Sequence, residues 1–256
     1  MNNYELFKEK IHKKTGINLS YYKERQMKRR IDSLMKRNNF SNYDDYFNAM
    51  NKDSKIFEEF INYLTINVSE FFRNPSQWSI LQKDIFPDLL KKSRSLKIWS
   101  AACSTGDEPY SLVMALSELV PLSNIKILAT DIDKEVINKA KSGIYSAKSI
   151  ENVPKHLASK YFEKIGESFK IKDEIKNCVQ FKQHNLLKDP YPDQCDLIVC
   201  RNVMIYFTEE SKEIMYKKFR DALKENGILF VGSTEQIILP TRYQLDSAKT
   251  FFYKRI

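Results

Sequence analysis

The feature that most constrains this chain is the sixteen-residue stretch 96–111, LKIWSAACSTGDEPYS. It predicts a buried strand, a tight turn of small residues and the start of a helix. In dinucleotide-binding folds this turn contains several glycines, because backbone amides must approach a pyrophosphate. Here only Gly106 remains, and Asp107 and Glu108 follow it directly. The stretch therefore predicts a nucleotide-binding type of turn that is poorly suited to phosphate.

The two acids after the turn indicate the charge of a ligand. Asp107 and Glu108 disfavour an anionic phosphate and favour a cation. A nucleoside with a positive charge and no phosphate fits, and S-adenosylmethionine is the common cofactor of that description. The alternative is an ordinary strand-to-helix turn, in which the acids suit the helix N-terminus and Pro109 suits its first turn.

From residue 97 onward, predicted strands and helices alternate. The predicted strands are 97–100, 126–130, 178–182, 197–200, 227–232 and 250–254, and the predicted helices are 108–119, 134–141 and 209–223. Short buried strands in this alternation imply a mostly parallel α/β sheet with helices on both faces. Region 145–177 interrupts the pattern with a helix near 154–161 and a hairpin around 168–172. We expect a small inserted β-subdomain there.

The N-terminal part of the chain has a different composition and predicts a separate helical domain. We expect a helical domain over 1–75 and the sheet domain over 76–256. Asn74 and Pro75 resemble an N-cap and a first helical position, which would open a linking helix that ends at Leu90.

The charge of the chain is concentrated near its N-terminus. The net charge is +9, and residues 1–40 hold +7 of it. One predicted helix has an apolar stripe at helical spacing, formed by Met27, Ile31, Leu34 and Met35. Arg25, Arg29 and Lys36 project from roughly the opposite face. This basic face indicates an acidic partner, which the charge alone leaves open between nucleic acid, anionic lipid and an acidic protein surface.

Several classes of protein are disfavoured by what the sequence contains. No apolar run reaches the ~18 residues of a membrane span, and residues 1–5 lack the apolar region of a signal peptide. We therefore expect a cytoplasmic protein. The four cysteines include no C-x-x-C pair and the three histidines are far apart, so the pattern does not favour a metal site or a disulfide framework.

Polar residues follow four successive predicted strands, where ligands of open α/β sheets bind. Asp131 comes 25 residues after Gly106 and is our choice to accept hydrogen bonds from ribose hydroxyls, whereas Asp133 could instead cap the next helix. Asn185 would offer a donor and an acceptor to an adenine edge. With Glu108 and the pair 201–202, these residues predict a nucleoside site.

Four motifs give the chain a family resemblance. They are TINVSEFFR at 65–73, WSAACSTGDEPYS at 99–111, ATDID at 129–133 and CRNVMIYF at 200–207. With them the chain resembles the CheR-type chemotaxis receptor methyltransferases, in the form found in Bacillus-like bacteria, over essentially its whole length. The resemblance implies a small all-α domain, a Rossmann-like S-adenosylmethionine-dependent methyltransferase sheet with an antiparallel last strand, and an inserted β-subdomain.

The resemblance also implies an activity and a set of contacts. Such enzymes methylate glutamate side chains of chemotaxis receptors, and release S-adenosylhomocysteine. The implied partners are cytoplasmic receptor helices, contacted by the basic helix, and we expect a monomer that binds neither nucleic acid nor the membrane interior. The implied cofactor contacts are Asn67, Ser69, Arg73, Glu108, Asp131, Asn185, Leu186, Arg201 and Asn202. Ser69 and Asp107 depart from the family, which often has Thr and Glu there, but they keep the hydroxyl and the charge.

The chemistry of the implied substrate limits what the enzyme must do. A glutamate carboxylate has a pKa of about 4.3, so it is already ionised at neutral pH and needs no general base. The remaining task is to align the carboxylate oxygen, the methyl carbon and the sulfur. Arg73, Arg201 and Tyr206 are candidates for this catalytic task. Tyr206 could alternatively be a core aromatic beside Phe207.

Two other functions remain to be weighed. A nucleic-acid methyltransferase directed at amino groups would show an Asp/Asn-Pro-Pro-aromatic motif after the fourth strand, but this chain has RNVM at 201–204, and DPYP at 189–192 precedes the strand. A non-catalytic, cofactor-binding receptor scaffold is the second alternative. The presence of Arg73, Glu108, Asp131, Asn202 and Tyr206 argues against it.

Overall fold

The computed structural model describes residues 3–65, 67, 69–93 and 95–256. Ile66 and Val68 of the motif at 65–73 lie outside these residues. The chain forms two compact units, one of 1–67 with 204–214 and one of 68–203 with 215–256. The domain limits predicted at 75/76 and at 145–177 stay predictions.

The first unit is built on four helices. They are α1 (Asn3–Thr15), α2 (Glu24–Arg37), α3 (Tyr43–Lys52) and α4 (Ser54–Thr65). The predicted apolar stripe of α2 is buried, whereas Arg25, Arg29 and Lys36 are exposed. Phe7 of α1 lies at the centre of this unit, where its ring packs against Tyr46 and Phe60. The helix and its basic face therefore form as the sequence predicts.

A distant segment, 204–214, completes the first unit. The backbone N–H of Lys23 donates to the carbonyl of Tyr206 at 2.9 Å, and Thr208 N–H donates to the carbonyl of Tyr21 at 2.9 Å. Phe207 is buried within the same unit. These contacts join the end of the motif at 200–207 to the start of α2, a long-range pairing that the sequence did not indicate.

The second unit contains a seven-stranded sheet and a smaller three-stranded sheet. The strands are β1 (Lys97–Ser100), β2 (Lys126–Asp131), β3 (Ile144–Ser146), β4 (Phe162–Ile165), β5 (Ser168–Ile171), β6 (Val179–Gln183), β7 (Cys195–Cys200), β8 (Leu223–Val231), β9 (Leu245–Lys249) and β10 (Phe252–Arg255). The large sheet has the order β6-β2-β1-β7-β8-β10-β9. Its pairs from β6 to β8 are parallel, and β10 is antiparallel to both neighbours. The implied antiparallel last strand is confirmed.

Helices cover both faces of this sheet. They are α5 (Pro75–Ile80), α6 (Phe86–Leu90), α7 (Asp107–Leu116), α8 (Lys134–Ser142), α9 (Lys155–Tyr161), α10 (Asp173–Lys176) and α11 (Glu209–Ala222), and a π-helical turn, Leu81–Ile85, joins α5 to α6. Ile98 of β1 belongs to the apolar cluster that includes α7, whereas the neighbouring Trp99 packs against Phe219 of α11. Since successive side chains of a strand point to opposite faces, α7 and α11 lie on different faces. The predicted fold class is confirmed.

The smaller sheet is the insertion, with the order β3-β5-β4. Its β4–β5 hairpin and α9 correspond to the predicted hairpin and helix. Two strands were not predicted: β3 has only three residues, and β9 exposes every residue after Leu245. Neither has the buried apolar run on which strand prediction depends.

Asn74 stands at the predicted N-cap position of α5 but does not cap the helix. Its backbone is left-handed, with φ of 61°, and its side chain makes no capping hydrogen bond. Instead, Asn74 Oδ1 accepts a hydrogen bond from the distant Arg201 at 3.2 Å. Among the described residues, no helix is both long enough and apolar enough to span a membrane.

Two glycines with left-handed backbones provide a matched test of the fold. A Cβ on Gly106 (φ 91°) would lie 2.9 Å from Ala140 Cβ and 3.0 Å from the Tyr110 ring, whereas a Cβ on Gly166 (φ 57°) meets nothing within 4 Å. Gly166→Ala should therefore lower the free energy of unfolding by about 1 kcal/mol, the cost of the left-handed backbone alone. Gly106→Ala should lower it by about 3 kcal/mol, because overpacking adds to that cost. Equal losses in chemical denaturation would contradict the crowding around Gly106.

Candidate active site

The sheet order places a crevice at the carboxyl ends of β1 and β7. These strands are parallel neighbours, with Ser100 opposite Val199 in their register. In the sheet, β2 and then β6 lie on one side of β1, whereas β8 lies on the opposite side of β7. A reversal of this kind opens a ligand crevice beyond the strand ends. The turn before α7 and residues 201–202 follow these two strands directly.

Glu108 in the first turn of α7 lies at this crevice with its carboxylate held by two groups. Ser100 Oγ donates to Glu108 Oε1 at 2.8 Å, and Arg201 Nη1 lies 3.6 Å from Oε2. Burial raises the pKa of Glu108, and the positive charge of Arg201 opposes that shift. The glutamate is therefore a largely buried acid, 12% exposed, paired with a buried cation.

Arg201 connects the end of β7 to residues 73–77, at the start of α5 and just before it. Its Nη2 donates to the Arg73 carbonyl at 2.7 Å, to Gln77 Oε1 at 3.0 Å and to Asn74 Oδ1. Its guanidinium also lies 4.8 Å from the centre of the Phe230 ring. Burial lowers the pKa of Arg201. These contacts fix the backbone of Arg73, and the predicted contact of Arg201 with cofactor or substrate stays a prediction.

Asp131 at the end of β2 is oriented by two backbone donors. Ser104 N–H donates to Asp131 Oδ2 at 2.8 Å, and Asp133 N–H donates to Oδ1 at 3.0 Å. Burial raises the pKa of Asp131 to about 6. Asp133 itself caps α8 by accepting the Glu135 N–H, which is the alternative role that the sequence allowed.

The segment 69–72 is hydrogen-bonded to the N-terminal part of α7. Asp107 is buried and accepts side-chain hydrogen bonds from Thr105 and Ser69, which oppose the rise in its pKa caused by burial. Phe72 N–H donates to Ser111 Oγ at 3.0 Å. Ser69, predicted to contact the cofactor, thus also anchors its own segment to the turn.

The loop after β6 brings Asn185 and Leu186 to the same edge of the sheet, since His184 N–H donates to the carbonyl of Asp131 at 2.8 Å. Asn185 Oδ1 accepts the Leu187 N–H at 3.0 Å. Leu186 is buried, and its carbonyl accepts a hydrogen bond from Lys218. Because the amide oxygen of Asn185 is engaged within the loop, its N–H groups are the ones suited to an adenine acceptor.

Sequence reasoning missed three residues that shape the crevice. Gln77 binds Arg201, and Glu235 accepts the Asn202 N–H at 2.6 Å. Tyr145 on β3 of the inserted sheet donates to the carbonyl of Thr105 at 2.8 Å. No local pattern could have revealed these contacts, because each joins residues at least 33 positions apart.

Two predicted site residues belong to the first unit. Asn67 Nδ2 donates to Thr65 Oγ1 at 2.9 Å. Tyr206 lies in a 3-10 turn, Met204–Tyr206, and is half-buried. Their predicted roles in binding cofactor and substrate stay predictions.

The residues of the crevice fit a cationic nucleoside. Glu108 and Asp131 supply two carboxylates, one for a positive charge and one for hydroxyl donors. The Ser104 Oγ is buried, and among the described residues it has no hydrogen-bond partner. Gly106 lacks a side chain where a Cβ would meet three neighbours within 3.1 Å. Acceptors, one unsatisfied hydroxyl and a crowded small-residue turn suit S-adenosylmethionine better than a phosphate.

Comparison with known families agrees with this geometry. Residues 67–252 match the family described as CheR methyltransferase, SAM binding domain, and residues 2–65 match CheR methyltransferase, all-alpha domain. The chain belongs to the CheR methyltransferase family. Its cofactor is therefore S-adenosylmethionine, and the residues of the crevice lie within the stretch that matches the SAM binding domain.

Similar proteins cover nearly the whole CheR chain. It is 41% identical over 251 residues to a chemotaxis protein methyltransferase of Listeria innocua. The matched region covers 98% of this chain and 96% of that protein. A Listeria monocytogenes protein of the same name is 40% identical with the same coverage. A third, from Borreliella burgdorferi, is 36% identical over 91% of this chain and 90% of its own length.

The raised pKa of Asp131 predicts how cofactor affinity depends on pH. Only the ionised carboxylate accepts two hydroxyl donors, and it is protonated below about pH 6. Affinity for S-adenosylmethionine should therefore fall about tenfold between pH 7 and pH 5. Asp131→Asn should bind weakly at both pH values, whereas Asp133→Asn, which keeps a capping side chain, should behave like the wild type. Calorimetric titrations showing the same pH dependence in Asp131→Asn would contradict this assignment.

Proposed function

We propose that the chain transfers a methyl group from S-adenosylmethionine to glutamate carboxylates of chemotaxis receptors and so forms methyl esters. The observation that supports this most is the pair of acids at the switch point of a CheR-family sheet, Asp131, which is buried, and Glu108, whose side chain is 12% exposed. Its relatives in Listeria innocua and Borreliella burgdorferi are also named chemotaxis protein methyltransferases.

We assign the cofactor contacts from the resemblance together with the crevice geometry. Asp131 would accept the ribose hydroxyls, Glu108 would favour the cationic cofactor, and Asn185 and Leu186 would contact the adenine. The remaining proposed contacts are Asn67, Ser69, Arg73, Arg201 and Asn202. When bound, the cofactor supplies an electrophilic methyl group on a sulfonium.

The protein side of the reaction is one of placement. The substrate carboxylate is ionised at neutral pH, so no residue has to remove a proton. Alignment of the reacting groups can contribute about 7 kcal/mol or more. Arg73 and Tyr206 are our candidates for holding one edge of the carboxylate. Arg201 already binds Gln77 and the Arg73 carbonyl, so we assign it the task of positioning Arg73.

Tyr206→Phe tests the placement role. Loss of the hydroxyl should lower kcat about tenfold or more and leave cofactor affinity within about twofold, because the proposed contact is with the substrate. Tyr21→Phe, which changes an exposed tyrosine of the same unit, is the matched control and should keep full activity. Equal activity of the two variants in a methyl-transfer assay would remove Tyr206 from the mechanism.

The basic face of α2 supports the choice of a receptor as partner. Arg25, Arg29 and Lys36 are exposed on one helix, opposite its buried stripe. Receptor helices that present glutamates are acidic, so this face would steer them toward the enzyme by long-range attraction. We propose it as the docking surface for those helices.

Removal of these charges should weaken receptor methylation without affecting the cofactor. The triple variant Arg25→Ala, Arg29→Ala, Lys36→Ala should raise the KM for receptor several-fold at low salt, and its rate should depend less on salt. The control removes three exposed lysines of the second unit, Lys92, Lys126 and Lys141. The docking proposal fails if both triple variants behave alike.

The two alternative functions are separated from the proposal by one labelling experiment. The protein is incubated with methyl-labelled S-adenosylmethionine and receptor-containing membranes, or with DNA, and then treated with alkali. Methyl esters release volatile methanol, whereas N-methyl products do not. Base-labile label on the receptor supports the proposal. Label on DNA would favour a nucleic-acid methyltransferase, and the absence of transfer despite cofactor binding would favour a scaffold.

A further inference from the structure

A buried glutamate that follows β8, Glu235, accepts hydrogen bonds from backbone amides next to the crevice. Glu235 is only 5% exposed. Its Oε2 accepts the backbone N–H of Asn202 at 2.6 Å and that of Gly232 at 2.9 Å. One carboxylate oxygen thus joins the loop after β7 to the loop after β8. Hydrogen bonds from backbone amides to a carboxylate are stronger than those between neutral groups.

The backbone conformation of Asn202, to which Glu235 binds, is an unfavourable one. Asn202 has a left-handed conformation, with φ of 59°. Such a backbone is unfavourable for a residue with a side chain and persists where the surroundings fix it. The bond from Glu235 is one such restraint, and it acts on the residue that immediately follows Arg201.

Gly232 is required here for space. It is not one of the left-handed residues. A Cβ at this position would lie 2.5 Å from Glu235 Oε2 and 2.8 Å from the backbone N of Asn202. Any side chain would therefore push the carboxylate and the Asn202 loop apart. The close approach of the two loops depends on glycine.

We infer that Glu235 is a positioning residue for cofactor binding, which acts by fixing the backbone of Asn202 through Oε2 in the space that Gly232 leaves. The inference rests on the proposed contact of Asn202 with the cofactor. Glu235 itself would touch neither cofactor nor substrate.

The test measures S-adenosylmethionine affinity by calorimetry and thermal stability in the same variants. Glu235→Ala should weaken binding about tenfold, because the amide of Asn202 loses its acceptor. Glu235→Gln, which retains an amide oxygen to accept the same N–H groups, should recover most of that affinity. Gly232→Ala should weaken binding similarly, although it removes no polar group.

Two matched variants separate positioning from simple destabilisation. A Cβ on Gly227, in β8 itself, would lie 2.8 Å from the Cys195 carbonyl, so Gly227→Ala is also crowded but lies five residues along the chain from Gly232. Glu225→Ala removes an exposed acid of the same strand. Gly227→Ala should lower the melting temperature and Glu225→Ala should change little, and both should keep wild-type affinity.

The inference is overturned if Glu235→Ala binds like the wild type, if glutamine gives no recovery, or if Gly227→Ala loses as much affinity as Gly232→Ala. A wild-type chain that does not bind S-adenosylmethionine would contradict the proposed function, and this inference with it. The wild-type titration therefore distinguishes the two failures.

Discussion

The crevice depends on the buried guanidinium of Arg201. It lies at the end of β7, pairs with Glu108 of α7 and donates to Gln77 and to the Arg73 carbonyl. A buried cation is unfavourable unless charges and acceptors surround it, so these partners must come together for the fold to be stable. The single group thereby joins three segments that are distant in sequence. The position of Arg73 relative to α7 follows from this arrangement.

Around this group the crevice is built from acids and backbone amides. Backbone donors orient Asp131, and Ser100 holds Glu108. Burial raises the pKa of both carboxylates, and in their ionised form they attract a cation or a hydroxyl donor and repel a phosphate. The turn with a single glycine and these two acids therefore favour the same kind of ligand.

The parts of this fold that the sequence predicts are those with a local signal. The buried strands β1, β2 and β7 and the apolar stripe of α2 follow from side-chain periodicity, and the turn at 101–106 follows from residue size. The roles of Asn74, Tyr145 and Glu235 do not, because each depends on a partner distant in sequence or on a backbone conformation set by packing. Residue type alone also could not show that Ser69 is hydrogen-bonded to Asp107.

The central claim is that the turn at 101–106 and the acids beyond it bind a cationic nucleoside and exclude phosphate. Calorimetric titration of the full chain with S-adenosylmethionine and, separately, with the dinucleotide NAD⁺ tests it directly. Saturable binding of one S-adenosylmethionine per chain, with no binding of the dinucleotide, is the predicted result. Binding of the dinucleotide without binding of S-adenosylmethionine would contradict the account.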